Sequence, residues 1–263
     1  MRKFLKGFLI NLQFFTVIPV HLELPMDKPH LKSAVQAFPL LGLFQGGIIS
    51  GLFFLLLEYT PFSNLASAFL LWLMSIFLTG GIHLDGWMDA SDGYFSYKDQ
   101  KKRLQIMNDP RTGAFGVISV IVLLSSRFLF IYEITINVHA VSYLMITAIP
   151  LLSKSVMGLM LLTVKSAKKE GLGALFQNAA TPKDLWSYLV YLIGFFAILL
   201  IFAGGFYNFL ILLAAALLSF LFCSRKAVKW FGGITGDILG ATVEGTELFL
   251  WMTLWLLHYF VMV

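Results

Sequence analysis

Leu65–Gly93, LASAFLLWLMSIFLTGGIHLDGWMDASDG, decides the fold. Its first sixteen residues carry no charge and its last thirteen carry three carboxylates. An uncharged apolar run belongs in lipid and a triplet of aspartates does not, so the join marks the place where a membrane span meets water. Asp85, Asp89 and Asp92 stand at i, i+4 and i+7, which puts them on one face of an α-helix. Like charges at that spacing repel one another and weaken the helix, so a cation belongs among them. Oxygen donors without a cysteine cluster suit Mg²⁺ or Mn²⁺ better than zinc, and Mg²⁺ takes a few carboxylates together with substrate phosphates. Gly86 and Gly93 leave room for a phosphate to approach the backbone. The alternative, a solvated acidic turn paired with nearby basic residues, is weakened by the apolar sequence on both sides.

Of the 263 residues, 59% are hydrophobic and 13% charged, the composition of a polytopic membrane protein. Long apolar runs without period-two alternation predict an all-α fold, not a barrel. Spans are expected over 35–57, 65–80, 114–132, 140–164, 185–202 and 209–222. The tail 248–263 could cross the membrane or lie in it, giving six to seven transmembrane helices in a single domain over 1–263. Gly42, Gly46, Gly47 and Gly51 in the first span are small residues of the kind that let helices approach in lipid. Residues 4–20, interrupted by Asn11, Gln13 and Pro19 and lacking a small-residue cleavage site, read as a retained amphipathic or re-entrant segment. Residues 98–108 read as an amphipathic segment stopped by Pro110.

Basic residues gather at the amino terminus and in 85–112, 165–184 and 224–247, while 58–64, 133–139 and 203–208 have none. By the positive-inside tendency the first set is cytoplasmic, and the acidic motif with it. The net charge of +5 is therefore a property of loops, and no soluble basic domain exists to carry a nucleic acid. The single cysteine, Cys223, excludes an intramolecular disulfide and a cysteine-based zinc cage.

A second acidic segment, Gly232–Glu247, spaces Asp237 and Glu244 seven apart with Gly240 and Ala241 between them. It falls on the same predicted side, and its carboxylates could reach the same cation. Arg127 and Lys154 lie inside predicted spans, where each costs about 2.5–3.5 kcal/mol on insertion scales. Either could meet a substrate phosphate or pair with an acid such as Asp85. His83, two residues before Asp85, could ligate, shuttle a proton or hydrogen-bond. Lys101, Lys102, Arg103 and Arg111 are the cations of the following loop. Arg111 is the best placed, because Gly113-Ala114-Phe115-Gly116 follows it and opens a helix whose first amides favour an anion. The basic run before it could equally face lipid headgroups. Carboxylates, cations and glycines in this arrangement suit metal-assisted chemistry on phosphates.

His83–Gly93 followed by Arg103–Gly116 closely resembles the signature of cobalamin synthase, the adenosylcobinamide-GDP ribazoletransferase family, and Gly236–Glu244 is similar to that family's second motif. The likeness extends over nearly the whole chain, including Phe14–Val20; it departs at Pro110, where the family tends to a small polar residue. The resemblance implies an integral enzyme of the bacterial inner (cell) membrane, working at its cytoplasmic face. It implies the joining of adenosylcobinamide-GDP with α-ribazole, or its 5′-phosphate, to give the cobamide or its phosphate and GMP. On that reading Asp85, Asp89, Asp92 and Asp237 or Glu244 hold Mg²⁺, and Arg111, Gly113, Arg103, Arg127 and Lys154 are phosphate contacts. Asp92 and Glu244 are then the candidate general bases, with His83 a further catalytic candidate. A homo-oligomer is compatible with the sequence.

Two other readings stand beside it. Asp89–Gly93 resembles the start of the CDP-alcohol phosphotransferase motif, but the further glycine and aspartate spacing is not reproduced. A transporter would use Arg127 and Lys154 on an anion and the acidic helices on a coupling cation, yet the chain shows no internal repeat.

Overall fold

The computed structural model describes residues 2–96, 99–202 and 205–262, and the described residues form twelve α-helices and one short 3₁₀ turn with no strand. The amphipathic first segment is helix α1 (Arg2–Phe15). Asn11 fixes it by donating to the Ala34 carbonyl of α2 (Lys28–Gln36), a helix begun by Asp27, whose carboxylate accepts from the His30 amide, and by Pro29 in its first turn. The first span is α3 (Phe38–Tyr59). Next come α4 (Asn64–Thr79), α5 (Ile82–Ser96), α6 (Gln100–Ile106), α7 (Ala114–Ile136) and α8 (Ala140–Thr163). The chain closes with α9 (Leu172–Gln177), α10 (Trp186–Phe202), α11 (Phe206–Phe231) and α12 (Gly236–Phe260).

Five segments are long and apolar enough to cross a membrane: α3, α7, α8, 182–201 and α11; α4 with α5 would make a sixth. The expected all-α polytopic architecture is therefore what the structure shows. Several boundaries differ from the hydropathy reading. The connector expected from Glu133 is helical to Ile136, and the span expected to end at 222 continues to Phe231, because an amphipathic basic turn winds on from an apolar one. The apolar tail is not a separate element: it is the second half of α12, which runs unbroken from the second acidic motif. The amphipathic segment expected over 98–108 is α6; Lys98 falls outside the described residues.

The core is built around α8, which is buried along most of its length and contains Pro150. Helix α3 lies directly on it, and of its four glycines only Gly42 and Gly46 make that contact, against the backbones of Pro150 and Thr147; Gly47 and Gly51 face open space. Helix α12 packs on the other side of α8 and also touches α5, α7 and α11. Thus the two acidic motifs, with Asp85 and Asp237 152 positions apart in sequence, lie on neighbouring helices.

Candidate active site

Helix α4 ends at Thr79, and Gly80 (φ 64°) and Gly81 (φ 76°) then turn the chain in the left-handed region that glycine tolerates. Helix α5 leaves at 86° to α4, so the acidic helix lies across the end of the span instead of prolonging it. There it meets the start of α12 through glycines. A Cβ on Gly86 would stand 2.5 Å from the Asp237 carbonyl oxygen, and one on Gly240 would stand 3.2 Å from the Cα of His83. This backbone-to-backbone approach carries Asp237 to the same mouth as Asp85 and Asp89.

Asp85 and Asp237 line a cavity of about 220 Å³ together with His83, Phe15, Phe176 and Gly173. Asp89, one turn on from Asp85, is half-buried; burial first, then the charges of Asp85, Asp237 and Asp92, push its carboxyl up to about 6. The opposing cation comes from an unexpected place. Lys168, in the loop after α8, donates to Asn108 Oδ1 and holds its ammonium 4.0 Å from Asp237 Oδ2. The loop is pinned there by reciprocal backbone bonds, Ala167 donating to Ile234 and Ile234 to Lys165. In sequence Lys168 belongs to an ordinary basic run, and no local signal shows that this loop pairs with the segment before α12.

The other expected site residues are placed differently. Asp92 is buried, and its two carboxylate oxygens accept the amides of Gly113 and Gly116, each at 2.8 Å. It is thus the anion at the amino terminus of α7, where a substrate phosphate had been expected, and Gly113's amide is engaged by it. Glu244 is also committed: it is buried in an ion pair with Arg127, 2.5 Å from Oε2 to the guanidinium. One turn deeper, Glu247 accepts from Ser153 at 2.9 Å and lies 3.9 Å from Lys154 and 4.0 Å from Arg127. Arg127, Lys154, Glu244 and Glu247 therefore form an electroneutral quartet inside the bundle, so the two intramembrane cations pair with acids of α12, not with Asp85. Glu247 shares a helix face with Glu244, three residues before it, which is the signal in the sequence for its place in this quartet.

Arg111 is 87% exposed and forks onto Asp109, donating at 2.9 and 2.6 Å, which lowers the Asp109 carboxyl to about 2. Arg103 is buried under α11, donating to the Trp230 carbonyl at 3.2 Å with its guanidinium 4.9 Å from the Tyr94 ring centre. His83 is buried in the cavity wall and stacked on Phe15 at 5.7 Å between ring centres; its Nε2 has no hydrogen-bond partner among the described residues.

Among the described residues, no group of three or more His, Cys, Asp or Glu side chains is close enough to hold a metal ion on its own. The hard-oxygen character of the mouth nevertheless fits Mg²⁺, which is usually bound by one or two carboxylates with the remaining positions filled by water and substrate phosphates.

A bundle of apolar helices with two acidic motifs joined at one end and a lysine set over them defines an integral-membrane enzyme. The chain belongs to the cobalamin-5-phosphate synthase family, whose model matches residues 7–255. It is 41% identical over 260 residues to the adenosylcobinamide-GDP ribazoletransferase of Geobacillus sp. (strain WCH70), covering 98% of each chain. It is 41% identical over 261 residues to the enzyme of that name from Geobacillus thermodenitrificans, again with 98% of each chain covered. The Geobacillus kaustophilus enzyme of the same name is 38% identical over 267 residues and the whole of both chains. No solved structure matches the chain. The protein is accordingly an enzyme of cobalamin synthesis.

Proposed function

We propose that the enzyme transfers the adenosylcobinamide phosphate group of adenosylcobinamide-GDP to α-ribazole or α-ribazole 5′-phosphate. The observation that carries this reading is the convergence of Asp85, Asp89 and Asp237 beneath Lys168, in a chain whose relatives bear the ribazoletransferase name. A ribose hydroxyl that is free in both α-ribazole and its 5′-phosphate, and so not the 5′ oxygen, forms a bond to the cobinamide-bearing phosphorus, the bond from that phosphorus to the oxygen of GMP breaks, and the hydroxyl proton passes to a carboxylate. Asp92 and Glu244 already hold two amides and an arginine, so Asp85, Asp89 and Asp237 are the carboxylates left to serve the mouth. Mg²⁺, held by one or two of these with phosphate oxygens of the substrate, would supply neutralisation of the transferring group and the departing GMP. Lys168 orients the same phosphates, and Arg111 at the rim can exchange Asp109 for a phosphate of the incoming substrate. The loops rich in Lys and Arg support a mouth on the cytoplasmic side of the cell membrane. Labelling a cysteine introduced at Lys169 in a Cys223→Ser background, by a membrane-impermeant maleimide on intact cells, would overturn that orientation.

The test is GMP and cobamide formation by the detergent-solubilised protein supplied with adenosylcobinamide-GDP, α-ribazole and Mg²⁺. The expected result is product that disappears with EDTA and in Asp85→Asn and Asp89→Asn. Absence of product from folded wild-type protein would overturn the reaction; full activity in both variants would overturn the site.

A further inference from the structure

A second cavity, of about 660 Å³, lies on the opposite face of α5 from the acids. Its walls are Trp87 and Tyr94 from α5, Ile118 and Val122 from α7, and Phe222 and Trp230 from α11. Trp87 and Tyr94 are seven residues apart and stand on the face of α5 turned away from Asp85 and Asp89, so the helix itself separates this space from the mouth. The size falls within the roughly 300–1,000 Å³ of small-molecule sites, and the lining is almost wholly apolar, which excludes a nucleotide or a ribazole phosphate. Phe115, Ile118, Val122 and Phe222 are exposed along its edge, on helices that span the membrane, so the cavity opens sideways into lipid. From Phe115 at the start of α7 to Val122 is about 10 Å of helix, less than the depth of one leaflet.

At the end nearest the basic loops stands Lys226. Its ammonium lies 4.6 Å from the Trp230 ring centre and 5.2 Å from that of Phe222, and among the described residues no carboxylate approaches it within 4.0 Å. Aromatic faces attract a cation without cancelling its charge. An apolar slot open to one leaflet, with an unneutralised ammonium at its headgroup end, is complementary to a single class of molecule. We propose that an anionic glycerophospholipid occupies it, acyl chain between α7 and α11 and phosphate on Lys226. Such a lipid fills the space shared by α5, α7, α11 and α12.

The experiment is native mass spectrometry of the full-length, detergent-purified protein titrated with phosphatidylglycerol or with phosphatidylcholine of identical chains. One lysine at a lipid headgroup is worth about 1 kcal/mol, so phosphatidylglycerol should bind about fivefold more tightly. Lys226→Gln should abolish that preference while leaving the adducts in place. Val122→Trp, which fills the slot from α7, should weaken both lipids, and melting temperature checks that each variant is folded. Equal binding of the two lipids by wild-type protein, or a preference that survives Lys226→Gln, would overturn the proposal. So would adducts indifferent to Val122→Trp, or a protein dimer that this substitution dissociates, which would assign the face to a second copy of the chain.

Discussion

Gly86→Ala tests whether the meeting of α5 and α12 sets the site. The added Cβ would lie 2.5 Å from the Asp237 carbonyl oxygen and 2.9 Å from the Asp237 Cα, all backbone atoms with no rotamer to turn away. Relaxed carbon-to-carbonyl contacts are about 3.3–3.6 Å, so the helices must part by roughly 1 Å or bear the overlap. Overpacking of that kind costs about 1–3 kcal/mol. Moving Asp85 and Asp89 by about 1 Å relative to Asp237 should lower turnover about 100-fold. The readout is steady-state GMP release beside a thermal melt. Gly47→Ala and Gly51→Ala are the controls, because a Cβ there meets no heavy atom within 4 Å, and both should retain turnover. Gly42→Ala is the second control: its Cβ would strike the Pro150 carbonyl between α3 and α8, a contact that includes none of the acids, and should lower the melt more than the turnover of surviving enzyme. Turnover within threefold of wild type in Gly86→Ala would refute the argument that this contact positions the carboxylates. So would a loss no larger than that of Gly42→Ala at matched stability.

Asp92→Ala removes the acceptor of two amides at the start of α7 and should cost about 0.5–2 kcal/mol, read as a lower melting temperature whether or not Mg²⁺ is present. Arg127→Ala leaves Glu244 charged and unpaired in the bundle, a loss of about 3–5 kcal/mol, and adding Glu244→Gln to it should recover much of the stability in the same melts. Lys168→Ala should raise the KM for adenosylcobinamide-GDP about tenfold, equivalent to 1.4 kcal/mol, with Lys168→Arg close to wild type. Because the Asp89 carboxyl of the metal-free protein is raised to about 6 and its ionised form is the one that binds a cation, Mg²⁺ affinity measured by calorimetry should rise as pH climbs through about 6, and an affinity flat from about pH 5 to pH 7 would refute the assignment. Stability runs the other way: a carboxyl whose folded pKa exceeds its unfolded value favours the fold when protonated, so the metal-free protein should lose stability between about pH 4 and pH 6.

The spans were legible because apolar length is a property of consecutive residues, and so were Asp85 and Asp89, which share a helix face by counting alone. The join of Asp237 to them was partly legible, since Gly240 and Ala241 announced a close helix contact, though not with which partner. Asp92 shows where counting stops. It keeps the i+7 spacing from Asp85, yet α7 starts directly beside it and takes both oxygens, an outcome set by the path of 99–113. Lys168 was illegible for the same reason at longer range, because the pairing of Ser166 with Ile234 that aims it spans 68 residues. Arg127 and Lys154 were visible as charges that lipid would not accept, but periodicity carries no information on which acid answers a given base.

That quartet explains how a site at the end of a lipid-embedded bundle can be held to the tolerance its chemistry needs. Between helices in a bilayer no hydrophobic force fixes register, since a side chain loses no water by turning from lipid to protein. Small residues allow approach, and polar contacts choose where sliding stops. Helix α12 carries Asp237 in its first turn and Glu244 and Glu247 two and three turns further on, so a slip against α7 and α8 would break the Arg127 and Lys154 pairs together. The same slip would draw Asp237 away from Asp85 and Asp89. The buried charges thus act on the reaction through the register of one helix, and their loss should be felt at the mouth even though none of them lies there.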